Sequence, residues 1–177
     1  NSSEISEEEL QNYYDQHKNS FILNRPIIQG IFIKIPEKSR QISDLRKWIN
    51  SPTQENIDKI EKHGLRIDMQ YDYFVNQWID WQNIIEQIPY RFGDADEFVK
   101  THHNFEYTYN GSTYFLYISK YLLSGEVIPF EFSKQQIQEI LINENRVNYD
   151  FKLINSLYNK ALKENKIKVG LYDPMKK

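Results

Sequence analysis

His102 and His103, with Glu106 a little further on, come nearest to a metal-binding set in this chain. Adjacent side chains diverge on a helix or a strand, and no second ligand pair stands one helical turn away, so an exposed helix end is the expected role. Asp94, Asp96 and Glu97 open like a calcium loop. The later ligands of such a loop are missing, which leaves Asp94 as a helix cap. Trp78 and Trp81 bracket Ile79 and Asp80 as either a stacking platform or a core plug. The chain has no cysteine, which removes thiol catalysis, disulfides and thiolate-bound zinc. Neither a phosphate-cradling glycine loop nor a serine elbow occurs. Carboxylates abound, yet nothing in their spacing pairs two across a cleft, as glycoside hydrolysis requires. No catalytic residue, metal or cofactor follows from the residues alone. They point to a binding or scaffolding protein.

Composition narrows the partners. The 177 residues carry a net charge of −3, against a nucleic-acid partner, which calls for a basic face. The 13 tyrosines and 10 phenylalanines suit a core and also a surface that holds apolar polypeptide. No run approaches the roughly 18 apolar residues of a membrane span. The chain begins at Asn1, so a processed or excised product is expected, with membrane association only through a removed lipid anchor. Acids gather at Glu4 to Asp15 and lysines at Lys160 to Lys177, as helix dipoles favour at a helix start and a helix end.

Periodicity supplies the elements. Ser6 and Glu9 form a capping box ahead of Leu10, Tyr13, Tyr14, His17 and Phe21 at helical spacing. Ile27–Ile35 reads as a central strand, apolar on both faces. Ser43 and Thr53 are expected to cap two short helices, with Gly64 stopping the second. Leu65–Val75 reads as an alternating strand, and the stretch from Trp78 to Pro89 as a short helix. Two alternating runs around Asn110-Gly111 predict a β-hairpin over 105–122. Ser133 with Gln136 predicts the cap of a long helix, and Asn165–Asp173 a last strand. The fold class expected is α+β.

The order of these segments resembles the SurA-type parvulin chaperones, periplasmic peptidyl-prolyl isomerases in their Bacteroidetes-like form. Ile5, Glu7, Glu8, Glu9, Leu10, Tyr13, Tyr14, His17 and Phe21 match the helix that precedes a parvulin domain there. Gly125, Glu126 and Pro129 match the linker into the long helix that follows it. The resemblance implies residues 1–22 as a linker helix, 23–124 as a parvulin-like domain and 125–177 as part of a chaperone module. It departs at the catalytic positions. Where the family places two histidines facing each other across the proline site, this chain has Ile31-Phe32 and Tyr114-Phe115. The implied protein is a catalytically degenerate chaperone of the periplasm or cell envelope, holding unfolded or extended polypeptides. An active isomerase with an atypical pocket, and an interaction domain for one fixed partner, are the alternatives.

The long helix carries two apolar rows. Ile137, Ile140, Leu141, Val147, Phe151, Ile154 and Tyr158 form the first, which the sheet domain is expected to cover. Ile142, Tyr149, Leu153 and Leu157 form the second, expected to be covered by a client, a second copy in a homodimer, or a missing N-terminal segment. Tyr149, Leu153, Leu157, Trp78, Trp81, Phe32 and Tyr114 are the residues expected to touch a client.

Overall fold

A computed structural model describes residues 4–64 and 68–164. The strand expected at Asn165–Asp173 lies outside the described residues. The chain is α+β and divides into two compact units, Lys18–Phe132 and the paired ends Asn1–His17 with Ser133–Lys177.

The first unit is built around an antiparallel sheet. Its central strand β1 (Ile27–Pro36) is flanked by β2 (Gln70–Tyr73) and β5 (Ser112–Leu122), and β4 (Asn104–Tyr109) extends the other side of β5. The two-residue β3 (Ile79–Asp80) pairs the start of β1, Ile79 opposite Ile28 and Asp80 opposite Ile27. β1 is apolar on both faces because both are covered. One face packs Ile31, Ile33 and Ile35 with Phe115 against α2 (Ile42–Asn50) and α3 (Gln54–Gly64), through Leu45, Ile49, Ile57 and Ile60. The other packs Ile28, Phe32, Leu116 and Ile118 against α4 (Trp81–Ile85) and α5 (Ala95–Thr101), through Trp81, Ile84, Phe98 and Val99. A fully buried side chain of this size contributes about 1.5–3 kcal/mol, so these two layers dominate the unit's stability.

Local signals set several boundaries. Asn110 and Gly111 both take positive φ, 49° and 86°, which closes the β4–β5 hairpin with the twist that a two-residue turn needs. Asp94 Oδ1 accepts from Glu97 N at 2.8 Å and Thr53 Oγ1 from Asn56 N at 3.2 Å, both as expected of caps. Ser43 does not cap. α2 already begins at Ile42, and Gln41 before it makes no side-chain cap.

Tertiary pairing sets others. The helix expected from Trp78 shrinks to Trp81–Ile85, because β1 takes Ile79 and Asp80 as strand partners. Asp80 is the cap instead, accepting from Gln82 N at 3.0 Å while gripping Arg25 at 2.7 and 2.9 Å. Of the strand expected over Leu65–Val75, residues 65–67 lie outside the described residues, and the remainder forms a strand only over Gln70–Tyr73, the part in register with Lys34 to Ile31. The segments that lead into and out of this unit run side by side. Leu23 N donates to Glu126 O at 2.8 Å, Gly125 N to Leu23 O at 2.7 Å and Ile128 N to Phe21 O at 2.8 Å.

The second unit contains α1 (Glu7–His17) and all but the first three residues of α6 (Phe130–Lys163). Ser6 Oγ accepts from Glu9 N at 3.1 Å, so the capping box starts α1 as its sequence implies. Ser133 does not cap α6, which begins at Phe130 directly after Pro129. A proline just ahead of a helix has its φ already set and forfeits no helical hydrogen bond. Ser133 is instead a buried residue inside the helix. α1 is tied to the start of α6 by Glu7 Oε1 and Lys134 Nζ, 2.5 Å apart, and Leu10, Tyr14 and Ile137 are buried in this unit.

Candidate functional site

The seven residues expected to touch a client fall into three places. Phe32 and Tyr114 share one face of the sheet, ring centroids 6.5 Å apart, and join Trp81 in the core cluster under α4 and α5. Phe32 is fully buried, Trp81 and Tyr114 nearly so, and Trp78 is half-buried just ahead of β3. Tyr149, Leu153 and Leu157 lie together on α6 and are exposed. Only this last group is open to a large partner without unfolding a core. Phe32 and Trp81 are therefore core residues, because each stands on the covered side of a two-layer packing.

The face holding Phe32 offers little chemistry. Lys34 Nζ sits 5.7 Å from the Tyr114 ring centroid, a cation over an aromatic face. A surface groove of about 370 Å³ runs between β2 and α4 and is lined by Asp72, Tyr73, Phe74, Gln77, Asn83 and Gln87 among others. Three amides share it with three aromatic and two isoleucine side chains, and no histidine lines it. Tyr71 at its rim turns to the opposite layer, where its hydroxyl donates to Glu61 Oε1 at 3.3 Å. Burial, with the Glu61 charge and that hydrogen bond behind it, pushes the Tyr71 phenol well above the ordinary tyrosine range.

Three of the four histidines are engaged in other ways. His17 stacks on Tyr13 at 4.0 Å and His63 lies 4.9 Å from Trp48. The His102 ring stacks on Phe98 at 4.2 Å, with Nδ1 2.9 Å from Thr101 Oγ1. Glu106 pairs with Arg46 at 2.7 and 3.0 Å. His102 and Glu106 are thus each held by neighbours of their own. Among the described residues no group of three or more histidine, aspartate or glutamate side chains could hold a metal ion.

α6 is where the chain keeps an unsatisfied surface. Every residue from 142 to 160 is exposed, including Ile142, Val147, Tyr149, Phe151, Leu153, Ile154, Leu157 and Tyr158 at 45 to 67%. Both apolar rows are therefore open beyond Leu141. The expectation that the first row would be covered fails past its opening turn, where Ile137 is buried and Ile140 half-buried. A globular protein rarely leaves so continuous an apolar run in water unless it serves as a contact.

A second surface escaped the sequence reading. Tyr90, Phe92, Phe105, Tyr107 and Tyr109 form a ladder of rings along β4, with neighbouring centroids 4.9 to 6.4 Å apart. Among the described residues β4 is an edge strand, paired only with β5, and Tyr90 and Tyr109 are exposed. Alternation of aromatics at 105, 107 and 109 was the available signal. Which strand would be the edge was not.

The chain matches no protein-family model, no curated protein and no solved structure.

Proposed function

We propose that this chain is a non-catalytic polypeptide-holding module of a cell-envelope chaperone resembling the SurA-type prolyl isomerases. The observation that carries the reading is the open row Ile142, Tyr149, Leu153 and Leu157 on α6. An apolar row that circles slowly round a helix, rather than keeping to one seam, suits irregular segments better than one fitted surface. Large mixed aliphatic and aromatic side chains adapt to clients of varied sequence. The β4 edge supports the same reading. Its free backbone groups and tyrosine ladder would take an extended segment by strand addition. The packed core where parvulins keep facing histidines favours holding over catalysis.

The test is suppression of aggregation of a chemically unfolded client. The parent chain should delay light scattering at near-stoichiometric ratio. Replacing Tyr149 and Leu153 together by serine should remove most of that delay while leaving the circular dichroism of the fold unchanged. Equal suppression by parent and variant would make the row ordinary surface and sink the proposal.

A further inference from the structure

Along α6, Ile137, Ile140, Glu144, Val147, Phe151, Ile154, Tyr158 and Ala161 recur at alternating steps of three and four. That is the spacing of a helix–helix seam, in which each side chain enters a hole on a facing helix. The structure covers only its beginning. Ile137 is buried and Ile140 half-buried, while Glu144 to Tyr158 are exposed. The row proposed above for clients lies well away from this seam at Ile142, Tyr149 and Leu153 and, advancing by fours, nears it only at Leu157, one turn before Ala161. The two surfaces share no residue and are well separated at Tyr149 and Leu153.

We propose that the seam joins two copies of this chain as an antiparallel helix pair, with the two-fold axis between Phe151 and Ile154. The orientation follows from Glu144. A parallel pair in register would press Glu144 against its own copy inside the seam, two like charges losing water together. An antiparallel pair sets Phe151 against Ile154, Val147 against Tyr158 and Glu144 against Ala161. The small alanine leaves room for the carboxylate, and the layer lies at the edge of the pair, where the carboxylate keeps its water. One flank matches in the same register, Asn148 beside Asn155 and Leu141 beside Leu162, while the other sets Asp150 beside Leu157.

Charge agrees with the direction. The first half of the helix carries Glu131, Glu139 and Glu144 against Lys134 and Arg146, and the second Lys152, Lys160 and Lys163 against Asp150. Antiparallel pairing sets a weakly acidic half alongside a basic one and opposes the helix dipoles. The area suffices for a specific contact of moderate strength. Val147, Phe151, Ile154 and Tyr158 would hide on the order of 500 Å² per copy, roughly 1,000 Å² per pair before the flanks are added, near the lower bound for stable interfaces.

The experiment is sedimentation of the full chain from low to high micromolar concentration. The parent's mass should double across that range. Ile154→Asp should weaken association by at least tenfold without loss of helix, since Ile154 is already exposed in the single chain. Leu153→Ser, on the other row, should leave the mass unchanged, which separates this proposal from the client-holding one. Because the protein has no cysteine, orientation can be read directly. A mixture of Glu144→Cys and Ala161→Cys chains should form a mixed disulfide, and Glu144→Cys alone should not join itself. A parent that stays monomeric throughout, including one that gains mass only when unfolded client is added, overturns the proposal. So does an oligomer indifferent to Ile154→Asp, or efficient self-linking of Glu144→Cys.

Discussion

The rings of Phe32 on β1 and Tyr114 on β5 lie 6.5 Å apart on one face of the sheet, both buried. On the function proposed above, they stand at two of the positions where a parvulin would carry its facing histidines. X-Pro isomerisation faces a barrier of about 18–20 kcal/mol, and lowering it needs room for the substrate amide plus groups that act on its nitrogen or carbonyl. Here the room is filled by Phe32, Phe74, Trp81 and Ile84. In a protease-coupled assay on short Ala-Pro peptides, rate enhancement should be negligible. A constant within about tenfold of an active parvulin, roughly 1.4 kcal/mol of barrier, would overturn this expectation.

Gly30 should be the least replaceable glycine of the sheet. The β1–β5 register shifts between Gln29 and Gly30, and the backbones there approach so closely that a Cβ on Gly30 would sit 1.8 Å from the Tyr117 carbonyl oxygen. Backbone cannot retreat as a flexible side chain can. Gly30→Ala should therefore cost at least the 1–3 kcal/mol typical of an overpacked core, read as a lower urea midpoint with an unchanged slope. A variant as stable as the parent would show that the strand pair can slide apart.

Much of this fold was legible in its local signals, because those signals act over three or four residues. Ser6, Thr53 and Asp94 each accept from a backbone N–H three residues on, and Asn110-Gly111 turns the hairpin. What was not legible depends on distant strands. Nothing near Ile79 announces that Ile28 will claim it for the sheet, and nothing near Gln70 announces that the pairing with β1 will end there, at Lys34. The candidate site divides the same way. The apolar rows of α6 can be read from spacing, whereas their exposure cannot, since it depends on what packs nearby. Trp81 and Phe32 were legible as large apolar groups, but only the two-layer packing makes them core.

Stability should fall in alkali through buried phenols. Burial, and then the neighbouring Asp15, raises Tyr14 above its ordinary value of 10.0, and burial with Glu61 raises Tyr71 further. The folded state thus holds these protons to higher pH than the unfolded chain does. Their contribution is fully present below about pH 10 and is lost as pH climbs through the folded values. Tyr71→Phe has no such proton to lose and should flatten part of the alkaline decline of the urea midpoint, at the expense of the hydrogen bond to Glu61. Identical alkaline slopes for parent and variant would exclude Tyr71 as a source.

Hydrogen exchange should grade α6 along its length. Ser133 and Ile137 are buried, so opening the helix there exposes packed side chains, while residues 142–160 are exposed on every side and rely on helical hydrogen bonds alone. Unsupported helices of fewer than about 12–15 residues are marginal in water, and a long one held at one end frays from the other. At low protein concentration, amide protection should be highest around 133–141 and fall steadily toward Lys163. At high concentration, protection should rise most across 144–161, where the seam between copies would form. Unfolded client should raise it further around 149–157. Uniform protection along α6 at the lowest concentration would mean that something within the single chain already covers the helix, and both roles assigned to it would fail together.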